Sequence, residues 1–424
     1  MTELTRRKLG MLAGIGAAAL AMPTYLRAQG KPRLVVIGGG AGGATAARYV
    51  AKDSENAIDV TLIDASDVYT TCFFSNLYIG GFRDFASIQH SYDRLQSNYG
   101  ITKVTGMAVA VDRSAKTVRM ADGASVPYDR LIVAPGIDII YDSVPGYSEA
   151  AAEIAPHSWK AGRQTELLKA KLDALEDGQN IIMVAPPNPY RCPPGPYERI
   201  SMMAHILKGK GYTKSKIYVI DPKESFSKQA LFMEGWEKHY PGMVEWMGPG
   251  VHGGVKEIDV SAGTVTTDLD TFKGGLLNII PKQKAGAIAS EAGLANDSGF
   301  CPIDAANMRS SADENVFVIG DASIAGAMPK SAFSANSQAK VAAMQVRGDL
   351  TSARVFPARY SNTCWSLIDT DDGVKVGAQY APKDGKIDTT SSFISQTGED
   401  AAVRKATYEE SLGWYSGIVA DTFG

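Results

Sequence analysis

Four cysteines, Cys72, Cys192, Cys301 and Cys364, are the residues of this chain best suited to redox chemistry. Two thiols that oxidise together to a disulfide carry two electrons. No two of the four are close enough in sequence to form a Cys-x4-Cys pair on one helix. A redox disulfide would have to join distant segments, and four cysteines allow three full pairings. Cys192 has the strangest surroundings, "IIMVAPPNPYRCPPGPYER" at 181–199, an apolar run that ends in prolines. Glu198 stands six residues beyond it. That carboxylate is a candidate general base for an incoming thiol, and a solvated ion pair with Arg199 or Arg191 is the alternative fate.

Other chemistries are poorly served. Five histidines and no Cys-x-x-Cys argue against a zinc or iron–sulfur site. Cys-x-x-Cys-His is missing, so this chain does not carry a c-type haem. A net charge of −3, with no long basic run beyond the N-terminus, argues against nucleic acid as a partner. The 424 residues, 45% hydrophobic and 21% charged, suit a soluble protein of two or three domains.

The elements that must position these side chains begin with "RLVVIGGGAGGATAARYV". A buried strand leads into Gly38, Gly40 and Gly43 in G-x-G-x-x-G spacing, then into an Ala-rich helix. Such glycines permit a tight turn, close approach of a pyrophosphate and close helix–strand packing. A second strand, "DVTLID", ends at Asp64, 21 residues after Gly43, where an acid meets a ribose hydroxyl. Two later strands end in turns: "YDRLIVAPGID" at Pro135-Gly136 and "NVFVIGDAS" at Gly320-Asp321. Strands returning to the first site from such distances are typical of two-domain flavoprotein reductases, and favour FAD.

A nicotinamide-using reductase repeats the strand–glycine–helix unit further on. "NIIMVA" occupies that place, and Pro186, Pro187, Pro189, Pro193, Pro194 and Pro196 follow it. Proline has no N–H to offer a phosphate, and its ring blocks close approach. The nicotinamide site is expected to be lost, leaving the flavin face to another reductant.

At the N-terminus Arg6 and Arg7 precede a segment uncharged from Leu9 to Tyr25, and "LRA" ends at Ala28. This pattern predicts a twin-arginine signal over 1–28 and a periplasmic destination, where disulfides persist. Residues 30–145 and 282–356 are expected to form a discontinuous FAD-binding domain. A degenerate NAD-binding-like domain is expected over 146–281 and a C-terminal domain over 357–424. The fold class is α/β: two Rossmann-like domains in the glutathione-reductase manner plus a smaller C-terminal α+β domain.

"YTTCFFSNLYIGG", "HSWKAGRQT", "YRCPPGPYER", "FSKQ", "GFCPID", "MPKSAFSANSQAK", "SNTCWS" and the terminal "DTFG" span nearly the whole chain after the N-terminal segment. Through them the sequence resembles the flavoprotein subunit of flavocytochrome c sulfide dehydrogenase. The resemblance implies that Cys72 holds FAD covalently through a thioether. It also implies that Cys192 and Cys364 form a redox-active disulfide above the flavin. A purely structural staple of that span is the rival, worth about 5 kcal/mol by loop entropy. Backbone N–H groups of the helix opened by "MPKSAFSANSQAK", with Lys330, are expected to stabilise charge on the reduced flavin. Cys301 is expected to be buried and inert. His157 and Trp159 fit the family pattern without an assigned role.

The implied activity is oxidation of hydrogen sulfide through the disulfide and FAD, with electrons passed to a separate c-type cytochrome subunit. Rival activities are an NAD(P)H-dependent flavin disulfide reductase, a sulfide:quinone reductase, and a flavin-bearing protein that activates a sulfur-oxidising partner without turnover.

Overall fold

The computed structural model describes residues 30–424, so the predicted signal with Arg6, Arg7 and Ala28 lies outside the described residues. The first elements are β1 (Arg33–Ile37), α1 (Gly43–Asp53), β2 (Asp59–Asp64), β3 (Thr102–Thr105) and β4 (Arg130–Val133). Next come β5 (Ile181–Val184), α2 (Gly195–Gly209), β6 (Ile217–Ile220), α3 (Gln229–His239), β7 (Val244–Met247) and β8 (Leu276–Ile279). The chain then returns with β9 (Asp313–Val318) and α4 (Ala332–Thr351). It closes with β10 (Tyr360–Asp369), β11 (Asp372–Lys383), β12 (Lys386–Ile394) and α5 (Ala401–Phe423).

Strands β9, β4, β1, β2 and β3 lie side by side in that order, all parallel, with the short antiparallel strand Arg309–Ser310 beyond β9. A second parallel sheet runs β7, β6, β5, β8. Parallel strands covered on both faces need unbroken apolar runs, and β5 is buried at all four residues. The α/β class, the two Rossmann-like sheets and the smaller strand-plus-helix domain at the C-terminus agree with the sequence expectation.

The C-terminal strands β10, β11 and β12 form an antiparallel meander, in which Cys364 pairs with Val376. This unit belongs to both cores at once. Tyr360, Tyr380 and Phe423 pack with Leu34, Val36 and Ala47 of the first sheet. Ile368 and Val374 pack with Ile200, Phe232 and Trp236 of the second. Each such fully buried aliphatic contributes about 1.5–3 kcal/mol. The β10–β11 turn is further clasped by polar contacts. His205 Nδ1 lies 2.7 Å from Asp369, His239 Nε2 lies 2.6 Å from Asp372, and Arg404 lies 3.3 Å from Asp372. Strand β10 is therefore fixed against α2 and α3, and Cys364 with it.

Candidate active site

The nucleotide loop is built as its glycines require. Gly38 has a φ of 97°, and a Cβ on Gly43 would lie 1.8 Å from the Gly38 carbonyl oxygen. Asp64 Oδ2 accepts from the Gly39 N–H at 2.6 Å, which draws the acid at the end of β2 onto the loop. A Cβ on Gly40 would lie 3.2 Å from the Tyr69 ring. From the far side, Gly320 has a φ of 72° and donates its N–H to Gln338 Oε1 at 2.7 Å. This turn presents Asp321, whose Oδ2 accepts from Arg191 Nε at 2.6 Å while Oδ1 is buried without a partner. Desolvation raises the pKa of the half-buried Tyr69 phenol, and Asp321 and Asp64 add to the shift. A bare glycine cradle with an orphaned buried carboxylate oxygen across from it fits a dinucleotide of the FAD kind. Gly38, Gly40, Gly43, Asp64, Gly320 and Asp321 would hold it, with Pro135-Gly136 against Arg191, whose Nη2 lies 2.8 Å from a Cβ built on Gly136.

Three of the four cysteines meet next to this trough, as free thiols and not in the disulfide the resemblance implies. Cys72, Cys192 and Cys364 line one cavity, together with Glu198, Arg199, Trp159, Trp365 and the first residues of α4. Cys72 sits at the junction. Burial raises its thiol, and the charges of Arg191 and Asp321 reach it from the trough. Cys192 is held with a φ of 57°, a left-handed backbone uncommon for a side-chain-bearing residue. Its N–H donates to the Lys330 carbonyl at 2.7 Å, and its own carbonyl accepts from Gly195 N at 2.8 Å as α2 begins. Cys301 stays apart, fully buried, its thiol pushed up to about 11 by burial.

Glu198 enters the cavity from the first turn of α2. Its Oε2 accepts from Asn76 Nδ2 at 2.8 Å and its Oε1 from the Leu367 N–H at 2.9 Å. Burial raises its pKa above the usual carboxylate value, against the opposing effect of those two hydrogen bonds. Neither expected ion pair forms. Arg191 is taken by Asp321, and Arg199 donates to the His157 and Ser158 carbonyls at 2.8 and 2.6 Å and to Asn76 Oδ1 at 3.1 Å. The guanidinium of Arg199 lies 4.8 Å from the Trp159 ring centre. His157 accepts the Trp159 N–H on Nδ1 at 2.9 Å, and burial lowers its pKa to about 4, so it is neutral near pH 7.

Lys330 departs from expectation. Its ammonium donates to the carbonyls of Asp321 and Ser323 at 2.8 and 2.9 Å and lies 3.8 Å from the Phe300 ring centre. It braces the Asp321 turn and does not line the cavity. The start of α4 does reach the cavity wall, through Ser331, Ala332 and Phe333.

Chain relatives agree with this arrangement. Residues 165–281 match the central domain of the sulfide dehydrogenase [flavocytochrome c] flavoprotein chain. Residues 356–423 match the flavin-binding domain of flavocytochrome c sulphide dehydrogenase, and 32–183 match pyridine nucleotide-disulphide oxidoreductase. A sulfide dehydrogenase [flavocytochrome c] flavoprotein chain from Chlorobaculum thiosulfatiphilum is 47% identical over 47 residues, 11% of this chain and 96% of that sequence. The chain belongs to the flavocytochrome c sulfide dehydrogenase flavoprotein family.

A mitochondrial sulfide:quinone oxidoreductase from Dictyostelium discoideum is 21% identical over 300 residues, 69% of this chain and 65% of that one. A probable ferredoxin reductase from Castellaniella defragrans is 34% identical over 155 residues, 36% of each chain, so these curated relatives are matched over less than two thirds of their length. In fold, the chain resembles the sulfide:quinone oxidoreductase of Aquifex aeolicus with a TM-score of 0.69, at 17% identity over 92% of each. It also resembles putidaredoxin reductase in its covalent complex with putidaredoxin, with a TM-score of 0.66, at 16% identity over 86% of this chain and 87% of the other.

Within this flavoprotein-family chain the second nucleotide position is filled. Asp221 follows β6 much as Asp64 ends β2, yet it is completely buried. It accepts from the Tyr197 hydroxyl at 2.6 Å and from Trp246 Nε1 at 3.0 Å, and pairs with Lys223 at 2.6 Å. Tyr197 stacks on Phe226 at 3.6 Å. The proline loop is pinned nearby, with Lys223 donating to the Pro186 carbonyl at 2.6 Å and Tyr190 to that of Pro193 at 2.7 Å.

Three residues in or behind the cavity wall escaped sequence reading, of which Asn76 lines it. Asn76 orients both Glu198 and Arg199, and Asn362 Nδ2 lies 3.4 Å from Cys364 Sγ. Lys228, only 5% exposed, donates to the Cys364 carbonyl at 3.1 Å and Ser366 Oγ at 2.8 Å. Each lies inside a family-like string, "YTTCFFSNLYIGG", "SNTCWS" and "FSKQ", which was the signal available.

Proposed function

We propose that this chain is a flavin-dependent oxidoreductase that oxidises hydrogen sulfide through a Cys192–Cys364 disulfide and delivers the electrons to a separate c-type cytochrome subunit. The observation that carries this reading is the convergence of Cys72, Cys192, Cys364 and Glu198 on one cavity beside the glycine cradle. FAD, held across the cradle by Gly38, Gly40, Gly43, Asp64 and Asp321 and joined to Cys72, would supply the two-electron to one-electron redox chemistry.

The chain's own residues do the rest. Glu198, held by Asn76 and Leu367, takes a proton from hydrogen sulfide, and burial raises its pKa above the usual carboxylate value, which makes it a stronger base. Hydrosulfide then opens the disulfide, leaving a persulfide on one cysteine and a thiolate on the other. Buried Tyr197 and the prolines keep a nicotinamide out of the second domain. Cytochrome and not quinone is favoured as acceptor because the matched family is the flavoprotein chain of a flavocytochrome c. A periplasmic location belongs to the same proposal and rests on the Arg6-Arg7 segment.

Anaerobic titration of the flavin-loaded protein tests it. Flavin absorbance is expected to bleach with sulfide and not with NADH, and to stop bleaching in Cys192→Ser. Bleaching by NADH alone would overturn the proposal. If neither works, a non-turnover activating role gains ground.

A further inference from the structure

Two buried cations, Arg199 in the cavity wall and Lys228 behind it, have no ion-pair partner among the described residues. Arg199 is 2% exposed and Lys228 5% exposed, and among the described residues neither has a carboxylate within ion-pair distance. The bonds of Lys228 go to the Cys364 carbonyl, Ser366 Oγ and the Val374 carbonyl, all neutral groups. Those of Arg199 go to carbonyls and amide oxygens. Glu198 is the one acid in the lining, and Arg191 is already neutralised by Asp321. A buried unpaired cation is costly, so Lys228, whose ammonium sits against the backbone of Cys364, favours an anion on that residue.

The surroundings of the two thiols differ. Cys364 Sγ has the Asn362 amide at 3.4 Å. Asn362 is itself fixed by the Ser331 hydroxyl, which caps α4 by accepting from Ser334 N at 3.1 Å. The positive end of a 20-residue helix thus stands behind this sulfur. Lys228 holds the carbonyl of the same residue. Cys192 has only its backbone engaged, with Lys330 and Gly195. Burial raises its thiol, Cys364, Glu198 and Cys72 further disfavour a negative charge on it, and Lys228 opposes them; unlike Cys364, it has no side-chain amide at its sulfur.

We propose that Lys228, with Asn362, holds Cys364 as the thiolate when the disulfide opens, so that the incoming sulfur ends on Cys192 as a persulfide. Lys228 is then a positioning residue, resting on the sulfide reading above but testable without sulfide. In the step, the Cys192–Cys364 bond breaks as a bond forms between the hydrosulfide sulfur and Cys192. The electron pair of the broken bond stays on Cys364, and the proton first lost by hydrogen sulfide goes to Glu198. A better-stabilised thiolate leaves faster, which fixes the direction of attack.

The titrating neighbours of Cys364 are Glu198 from α2, Lys228 from the segment before α3, Cys192 from the proline loop and Tyr380 from β11. The test uses flavin-loaded Cys192→Ser and Cys364→Ser proteins, each alkylated with iodoacetamide across pH and mapped by mass spectrometry. Cys364 is expected to react with a lower pH midpoint than Cys192. Adding Lys228→Gln is expected to slow Cys364 alkylation about tenfold near neutral pH, a shift of about one pKa unit, and Lys228→Arg to restore it. In the unsubstituted chain given one equivalent of sulfide, the extra sulfur mass is expected on Cys192. A lower midpoint for Cys192, a Lys228→Gln variant that leaves Cys364 unchanged, or extra sulfur on Cys364 would each overturn the proposal. If Lys228→Gln does not fold, comparison of the Cys192→Ser and Cys364→Ser proteins decides. Failure of the sulfide reading would leave the alkylation result standing.

Discussion

The Tyr197 hydroxyl donates to Asp221 Oδ2 at 2.6 Å, at the place in the second sheet where the first sheet keeps Asp64 beside its glycine loop. In the first domain that acid touches a backbone N–H and leaves room for a ribose. In the second, the equivalent acid is enclosed by Tyr197, Trp246 and Lys223. A nicotinamide dinucleotide would have to displace a tyrosine stacked at 3.6 Å on Phe226. NADH and NADPH are therefore expected to show no saturable binding by calorimetry and no flavin reduction. Tyr197→Phe is expected to lower stability by about 1–3 kcal/mol through the lost buried hydrogen bond, read by denaturant unfolding, without creating a nicotinamide site. NADH binding in Tyr197→Phe would show that this one hydroxyl was the barrier.

Glu198 sets the acid side of the reaction. Only its carboxylate can accept a proton, and burial raises its pKa, so the rate of flavin reduction by sulfide is expected to fall as pH drops through a value above the ordinary carboxylate range. Asn76 stabilises the charged form, so Asn76→Ala raises that pKa further and moves the acid limb to higher pH. Glu198→Gln is expected to reduce the rate by roughly 10²–10⁴-fold and to abolish this limb. Ionisation of sulfide itself is common to all three proteins, so the difference between profiles isolates Glu198. Stability carries the same sign. A carboxyl raised on folding favours the fold below its unfolded pKa, and that contribution is lost as pH rises through the folded value. Wild type should therefore lose stability relative to Glu198→Gln as pH rises, and identical profiles would remove Glu198 from the base role.

The first domain was legible because its signals are local. Gly38, Gly40, Gly43 and Asp64 fall within one βαβ unit, where backbone sterics fix what each position can be. The departure of the second domain from a phosphate-binding loop was also legible, since proline lacks the N–H that a phosphate needs. What replaced it was not, because Tyr197, Asp221 and Trp246 meet only after β5, β6 and β7 align. Cys192 and Cys364 were brought together by family resemblance, and the physical cause lies in β10, clasped at Asp369 and Asp372 by α2, α3 and α5. Lys228 and Asn76 carry ordinary residue types in unremarkable spacing, and their significance is visible only as burial without a counter-charge and as shared hydrogen bonds. Lys330 misled for the converse reason: its position at the start of α4 suggested a flavin contact, while its reach took it to the carbonyls of Asp321 and Ser323.

The glycine cradle tolerates little. A methyl on Gly43 would lie 1.8 Å from the Gly38 carbonyl oxygen, a backbone atom that no side-chain rotation can move aside. Gly43→Ala is expected to force the loop apart from α1 and to yield protein with little flavin, read as the ratio of flavin to protein absorbance. Full flavin content in this variant would mean that the loop is not the pyrophosphate site.

Cys72 links the trough to the cavity, and attachment there has a simple signature. Its carbonyl accepts from the Ser75 hydroxyl at 2.6 Å, which anchors the backbone at the start of the short helix Ser75–Ile79 and leaves the sulfur at the cavity wall. Burial raises this thiol's pKa, which disfavours its thiolate, and the proposed thioether to the flavin is the bond to test. After acid precipitation, flavin is expected to remain with the wild-type pellet and to pass to the supernatant in Cys72→Ser. The same variant, still carrying the glycine cradle and Asp321, is expected to retain FAD before denaturation. Flavin released from the wild-type pellet would show that the cofactor is held by the cradle alone, and Cys72 would then be a wall residue of the sulfide cavity.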